Sequence, residues 1–327
     1  MTNPSILSQR APTREGVIAA SRKIAGLLPM TPLLPLELPS GDVVWAKAEC
    51  LQPVGAFKIR GAWHRLTDLT DEERARGVVA VSSGNHAQGV AWAAARLGIA
   101  ATIVMPNDAP AIKLEATRAM GATVVLYDRP GGESRDAIAA ELIAQSGAVL
   151  VHAYGDPWVI EGQGSTGIEL AAQMECQAGG TPTRILAPCG GGGLSAGLVL
   201  ACPEATVVPV EPAGWDDLMQ SLERGEIVPV PKGAPPTACD ALQTPATWPI
   251  NFAVLHGAGV RGVSVTEAEV AVAQRHAFDR LHLVVEPGGA AGLAALIAGK
   301  VPADGGTAVI LSGGNVDRAA YARMLAG

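Results

Sequence analysis

No run of lysine and arginine stands anywhere in this chain, and its formal net charge is −7. Without a basic stripe there is no electrostatic footprint for nucleic acid or for an anionic membrane surface. The five cysteines, Cys50, Cys176, Cys189, Cys202 and Cys239, are odd in number and widely spaced. That spacing indicates neither a disulfide framework nor a cysteine-based zinc site, and it leaves reduced thiols as the expectation. The opening MTNPSILSQRAPTREG lacks the apolar core of a signal peptide, and the most apolar later stretch, GVAWAAARLGIAATIVMP, is interrupted by Arg96. A cytoplasmic protein with no nucleic-acid or membrane partner is therefore expected. Repeats, low-complexity tracts and the motifs G-x-x-x-x-G-K-[ST], H-E-x-x-H and C-x-x-C are absent as well.

What is present is a folded, globular composition: 327 residues, 48% of them hydrophobic and 17% charged. That length suggests about two domains. Short β-branched runs at 78–82, 101–105, 122–127, 148–152, 184–188, 207–211 and 308–312 read as strands. Helical patterns such as HAQGVAWAAARLG and GESRDAIAAELIAQSG separate most of them. Apolar strands alternating with helices predict an α/β fold, a parallel sheet covered on both faces. The proline-rich stretch 228–249 reads as a long loop.

Four polar or glycine-rich clusters follow directly on predicted strands: SSGNH at 82–86, CGGGGLSAG at 189–197, Glu211, and SGGN at 312–315. In open α/β sheets the ligand crevice lies beyond the carboxyl ends of the strands, so all four point to one edge. The tetraglycine Gly190 to Gly193 opens a helix, where free backbone N–H groups and the helix terminus favour an anion such as phosphate. A second reading stays open, because Gly191, Gly193 and Ala196 fit G-x-G-x-x-A and Glu211 follows Gly191 by twenty residues. That is the spacing of a dinucleotide site in an NAD(P)-dependent dehydrogenase. It gives no part to Lys58, which stands in GAFKIRGA between apolar neighbours. A lysine in such a place either reaches water or works as a desolvated nucleophile of lowered pKa.

Lysine in F-K-I-R-G-A, S-S-G-N-H after a strand, a polyglycine loop and a final S-G-G-N together resemble the fold type II pyridoxal-phosphate enzymes. Within them the chain is most similar to the threonine/serine dehydratase and serine racemase family, in its 3-hydroxyaspartate dehydratase-like branch. The similarity runs from about residue 13 to residue 320. It implies the tryptophan synthase β-like fold, two open twisted, mainly parallel sheets with helices on both faces. It also implies a large cofactor-binding domain, 1–76 and 156–327, a small inserted domain, 77–155, and a homodimer.

The resemblance further implies pyridoxal 5'-phosphate as cofactor and a role for each matching residue. Lys58 looks like the Schiff-base lysine, with Phe57 packed against the cofactor ring and Asn85 bonded to the ring hydroxyl. Gly190, Gly191, Gly192, Gly193 and Leu194 match the loop whose amides hold the phosphate, and Ser312 matches the serine facing the pyridine nitrogen. A hydroxyl there leaves that nitrogen largely unprotonated, which favours elimination over transamination. Ser82, Asn85 and His86 match positions that hold the substrate α-carboxylate. Ser83 matches the racemase acid/base on the face opposite the lysine, and a plain strand-end cap explains it equally well. Glu211, Asp217 and the carbonyl of Trp215 match ligands for Mg2+, or Ca2+ or Mn2+, in the racemase-like branch, the other reading being a solvated acidic loop. Two positions depart from the family pattern: Ala56 replaces the usual serine before F-K, and Glu161 stands where a small residue is common.

The expected reaction is conversion of a β-hydroxy amino acid to a 2-oxo acid and ammonia, with Lys58 taking the α-proton. Arg135 in GGESRDA resembles an arginine that faces a second carboxylate, which a guanidinium fits bidentately. That favours 3-hydroxyaspartate, giving oxaloacetate. If Arg135 is only a solvated helix charge, L-threonine/L-serine dehydration is expected instead, with serine racemisation as a possible side activity.

Overall fold

The computed structural model describes residues 10–82, 84–109, 111–128 and 131–327. After the helix Arg14–Ala25, capped by the Thr13 side chain on Gly16 N, the chain forms a hairpin of β1 (Leu33–Glu37) and β2 (Val43–Lys47). Three parallel strands then build a second sheet, β3 (Val78–Val81), β4 (Ala101–Pro106) and β5 (Thr123–Tyr127), joined at its other edge by β6 (Val149–Leu150). Its order is β5-β4-β3-β6. The remaining strands, β7 (Arg184–Pro188), β8 (Thr206–Pro212), β9 (Val263–Val265) and β10 (Thr307–Ile310), return to the hairpin and give the order β1-β2-β10-β7-β8-β9. Only the β1–β2 pair of that sheet is antiparallel.

All seven predicted strands are present. β1, β2 and β9 were not evident from sequence: β1 carries Pro35, which an edge strand tolerates because no partner needs its missing N–H, and β9 has three residues.

Side chains leave each buried strand alternately to two faces, and both faces are covered. Leu186, Val208, Val210 and Val309 pack under the helices Glu267–Leu281 and Pro287–Ile297. Their strand neighbours Ile185, Ala187, Val207, Ala308 and Ile310 pack on the other side with Val17, Leu170, Met174 and Leu198. Both faces being apolar is what makes these strands read as continuous hydrophobic runs. In the four-stranded sheet Val78, Ala80, Ile103 and Met105 share a core with Ile59, Ala62, Leu66 and Val90. The opposite face, Val79, Val104 and Tyr127, packs with Ala139 of the helix Arg135–Ser146. Among the described residues no helix is long and apolar enough to cross a membrane. All five cysteines are unpaired, and four of them are buried.

A close helix contact supports the glycine loop. Helix Pro157–Ala178 meets helix Gly193–Ala201 at Gly164 and Gly197, where a Cβ on Gly197 would lie 2.5 Å from Ile160 O and 2.6 Å from Gly164 N. Backbone stands on both sides, so nothing soft can yield. Gly197→Ala is expected to lower stability by about 1–3 kcal/mol, the range for overpacking a close-packed interior. The check is a reduced denaturant midpoint at unchanged slope; an unchanged midpoint would show that the two helices have room.

Candidate active site

The loops that follow β3, β7 and β10 converge on one cavity of about 500 Å3. Its walls include Phe57, Lys58, Ser82, Asn85, His86, Arg135, Gly190 to Gly193, Leu194 and Ser312. Every described residue that the sequence reading assigns to cofactor or substrate is therefore in one place. Ser83 lies outside the described residues. Glu211, Trp215 and Asp217 do not line this cavity.

Lys58 begins the helix Lys58–Thr67, and its amine opens onto the cavity while donating a hydrogen bond to Ala153 O at 2.6 Å. Burial strips water from the ammonium and lowers its pKa to about 8. The start of the helix is held on both sides. Phe57 N donates to Ser312 O at 3.0 Å, and Ala56 pairs with Gly313 in an isolated antiparallel bridge. Two residues beyond Lys58, the fully buried Arg60 donates to Glu49 at 2.7 and 2.8 Å and to Glu169 at 2.8 and 2.7 Å. Lys47 joins the cluster through Glu169 at 2.9 Å.

The glycine loop is oriented by its carbonyls. Gly191 O accepts from Asn251 Nδ2 at 2.5 Å and from Thr247 Oγ1 at 3.2 Å. In a trans peptide the N–H of the next residue points the opposite way, so the Gly192 N–H faces away from those two side chains. Gly192 has φ +90°, a left-handed conformation that favours glycine, and a Cβ at Gly191 would stand 2.2 Å from the Tyr154 ring. Helix Gly193–Ala201 starts here, leaving its first N–H groups without intrahelical partners. The loop thus has donors that could hold an anion.

Asn85 opens the helix Asn85–Leu97, with its Nδ2 donating to Glu286 Oε1 at 2.6 Å. Ser82 Oγ accepts from Gly84 N at 3.2 Å, so its own proton remains available. His86 Nε2 bonds Val151 O at 2.8 Å, which makes Nε2 the protonated nitrogen; Nδ1, buried and without a partner among the described residues, can only accept. Burial, and then the charge of Lys58, lower its pKa to about 3, so the ring is neutral. A carboxylate cannot accept a hydrogen bond from that ring, whose one N–H is donated to Val151 O; the residue's usable donor is its backbone N–H in the first turn of the helix. Arg135 is the first residue of its helix, behind the N-cap Ser134, and it reaches the cavity. No acid among the described residues forms an ion pair with its guanidinium.

Glu211 and Asp217 sit behind the glycine loop, and both are buried, so the stretch is no solvated acidic loop. Glu211 accepts from Leu218 N at 3.1 Å and Met219 N at 2.8 Å. Asp217 Oδ2 accepts from Thr247 N at 2.7 Å, and its buried Oδ1 has no partner among the described residues. Burial, with the Asp217 charge next, pushes Glu211 well above the usual carboxylate range, and burial pushes Asp217 up to about 7. Among the described residues no three His, Cys, Asp or Glu side chains are grouped for a metal. The dinucleotide alternative fails at Glu211, because its side chain is fully buried and does not line the cavity where a ribose would have to meet it. The spacing G-L-S-A-G at 193–197 is that of a nucleophile elbow, but Ser195 is fully buried and absent from the cavity wall.

Several wall residues were not evident from sequence. Glu286, buried and raised by that burial to about 7, follows the otherwise plain run HLVV. His152 lies between Tyr154, which it meets edge to face, and Trp248, to which it is tilted, with ring centroids 4.6 Å from each, while its Nδ1 accepts from Gly155 N at 2.7 Å. Residues 240–249 of the proline-rich loop close one side, where Asp240 meets Lys113 at 2.5 Å. Glu161, unusual for the family pattern, faces away from the chemistry. It accepts from Arg10 at 2.8 Å and from Thr13 N at 2.8 Å, and so ties down the start of the chain.

The sequence model of the family described as "Pyridoxal-phosphate dependent enzyme" matches residues 24–313. The L-threo-3-hydroxyaspartate ammonia-lyase of a Pseudomonas species is 39% identical over 319 residues, 95% of this chain and 98% of that protein. The L-threo-3-hydroxyaspartate ammonia-lyase of Saccharomyces cerevisiae is 37% identical over 324 residues, 97% of each. Among solved structures, the T.th. threonine deaminase superposes with a TM-score of 0.85 at 41% identity, covering 94% of this chain and 99% of that one. A desolvated lysine and a glycine loop that could hold an anion, on this fold, are what such a family requires, and the chain belongs to the fold type II pyridoxal-phosphate dependent enzymes.

Proposed function

We propose that this protein is a pyridoxal-phosphate-dependent ammonia-lyase for a β-hydroxy amino acid, and that 3-hydroxyaspartate, converted to oxaloacetate and ammonia, is its preferred substrate. The observation that carries the substrate is Arg135, a guanidinium with no acid partner among the described residues, on the wall of the cavity that holds Lys58. The similarity to two L-threo-3-hydroxyaspartate ammonia-lyases supports the same choice.

The residues present fit the coenzyme. Desolvation lowers the pKa of the lysine amine to about 8, so the neutral form is accessible just above neutrality, and the glycine loop supplies N–H groups at the mouth of a helix. Bound there, pyridoxal phosphate supplies the electron sink that makes a substrate α-proton acidic. The chain's own groups then divide the work. The glycine loop and Leu194 hold the phosphate, Phe57 packs on the ring, Asn85 donates to the ring hydroxyl, and Ser312 meets the pyridine nitrogen with a hydroxyl rather than an acid.

Ser82 and the backbone N–H groups of Asn85 and His86, in the first turn of their helix, bind the α-carboxylate, and Arg135 binds the distal one. Neutral Lys58 takes the α-proton, and the resulting ammonium returns a proton to the departing β-hydroxyl, which leaves as water; release and hydrolysis, which takes up one water, give the 2-oxo acid and ammonia. Ser83 is the candidate acid/base on the other face. Asp217 Oδ1, unpartnered among the described residues and beside buried Glu211, fits a hard cation, Mg2+ or else Ca2+ or Mn2+, with Trp215 O completing the set. Such an ion would neutralise two buried carboxylates and, through Thr247, steady the glycine loop. A homodimer, and division into 1–76 with 156–327 and an inserted 77–155 whose closure excludes water, belong to the same reading.

Two outcomes check it. The neutral amine is the form that reacts with an aldehyde, so coenzyme uptake by coenzyme-free protein is expected to speed up as pH rises through about 8 and to level off above. A rate that does not change across that pH would contradict the role of Lys58. Arg135→Ala is expected to lower kcat/KM for 3-hydroxyaspartate on the order of a hundredfold, the loss of a charge-assisted pair, and to change L-threonine and L-serine by no more than about threefold. Equal losses on all three would instead favour the L-threonine/L-serine dehydratase reading, to which the likeness to the threonine deaminase points.

A further inference from the structure

Glu286 is a buried carboxylate on the cavity wall that the reaction above does not use. It occupies the N-cap of the helix Pro287–Ile297, yet its side chain makes no capping bond there. Its Oε1 instead accepts from Asn85 Nδ2 at 2.6 Å. At the other end of the same amide, Asn85 Oδ1 accepts from Asn315 Nδ2 at 2.8 Å. Asn315 Nδ2 also donates to Val54 O at 2.9 Å, so both its protons are engaged.

This chain leaves Asn85 one orientation. A carboxylate that accepts must face the NH2 group of the amide, and a donating NH2 must face its oxygen. One N–H of Asn85 is then left over, on a residue that lines the cavity. The backbone is shaped around the contact: a Cβ on Gly313 would stand 2.3 Å from Glu286 Oε1 and 3.1 Å from Asn85 Nδ2. The glycine and asparagine of S-G-G-N thereby acquire parts of their own.

The geometry assigns Glu286 as a positioning residue: together with Asn315 it fixes the Asn85 amide so that its remaining N–H is presented to the phenolic oxygen of bound pyridoxal phosphate. A turned amide would offer its carbonyl oxygen, which repels an anionic phenolic oxygen. The assignment rests on the coenzyme reading and is independent of which amino acid is the substrate.

The test measures coenzyme dissociation and the visible absorption spectrum of the bound coenzyme in the holoenzyme, with no substrate present. Glu286→Ala removes the acceptor, Glu286→Gln keeps one, and Asn315→Ala removes the donor at the far end. Both alanine variants are expected to weaken coenzyme binding about tenfold, the size of one hydrogen bond to a charged group, and to shift the balance of absorption bands in the same direction. Glu286→Gln is expected to stay within about threefold of the parent, with its spectrum. Parent-like affinity and spectrum in folded Glu286→Ala would overturn the assignment, as would a Gln variant as impaired as the Ala one. If Glu286→Ala does not fold, Asn315→Ala decides alone, and an unshifted spectrum there overturns it. Normal binding and spectra in all three would sink this inference while leaving the deamination reading intact; failure to bind coenzyme in the parent protein would sink that reading first.

Discussion

Arg60 is buried to 0% exposure, and the way its charge is met determines where Lys58 stands. The two residues share the first turn of one helix, so whatever fixes Arg60 fixes the lysine's backbone. Glu49 comes from the turn after β2, Glu169 from the long helix Pro157–Ala178, and Lys47 from β2 itself. Two cations and two anions cancel, with Thr31 and Ser165 taking further bonds. An arrangement of this kind adds little net stability over an apolar core of the same shape, but removing one member strands a buried charge at a cost of about 3–5 kcal/mol. Its use here is geometric: three distant segments meet at one register, and the lysine amine is delivered into a cavity with little water to solvate it.

The cavity is assembled from opposite sides. Ser82, Asn85 and His86 follow a strand of the four-stranded sheet, while the glycine loop, Glu286 and Ser312 come from the six-stranded one. Contacts that cross between them are polar and short, namely Asn85 with Glu286 and Asn315, and Lys113 with Asp240. Chemistry between the two sheets therefore depends on side chains far apart in sequence, such as the pair 201 residues apart at Asn85 and Glu286.

That separation explains what could and could not be read from the sequence. The strands were legible because both faces of each sheet are covered, which makes them continuous apolar runs. The glycine loop was legible because a run of glycines stands out in sequence, and the structure needs them where Gly191 approaches the Tyr154 ring and Gly192 adopts a positive φ. Lys58 was conspicuous because a lysine among apolar neighbours needs a reason. Glu286, in contrast, follows a run with no distinguishing feature, and nothing local shows that it meets Asn85. The proline-rich loop read as featureless, yet it supplies one wall, since its shape is set by contacts with the glycine loop rather than by its own periodicity. His86 stood in the right motif, but only the structure shows its ring bound to Val151 O and unable to donate to a carboxylate. Glu161, unusual for the family, serves to hold Arg10 and Thr13.

The claim at the centre is that this cavity deaminates a β-hydroxy amino acid carrying two carboxylates, the water lost in the elimination being taken up again in the hydrolysis that releases ammonia. Release of ammonia and 2-oxo acid by the purified protein, with pyridoxal phosphate and magnesium present, tests it most directly. The threo and erythro isomers of 3-hydroxyaspartate, L-threonine and L-serine form the panel. A clear preference for one hydroxyaspartate isomer, with oxaloacetate as product, is the expected result; a preference for threonine or serine would contradict the role given to Arg135.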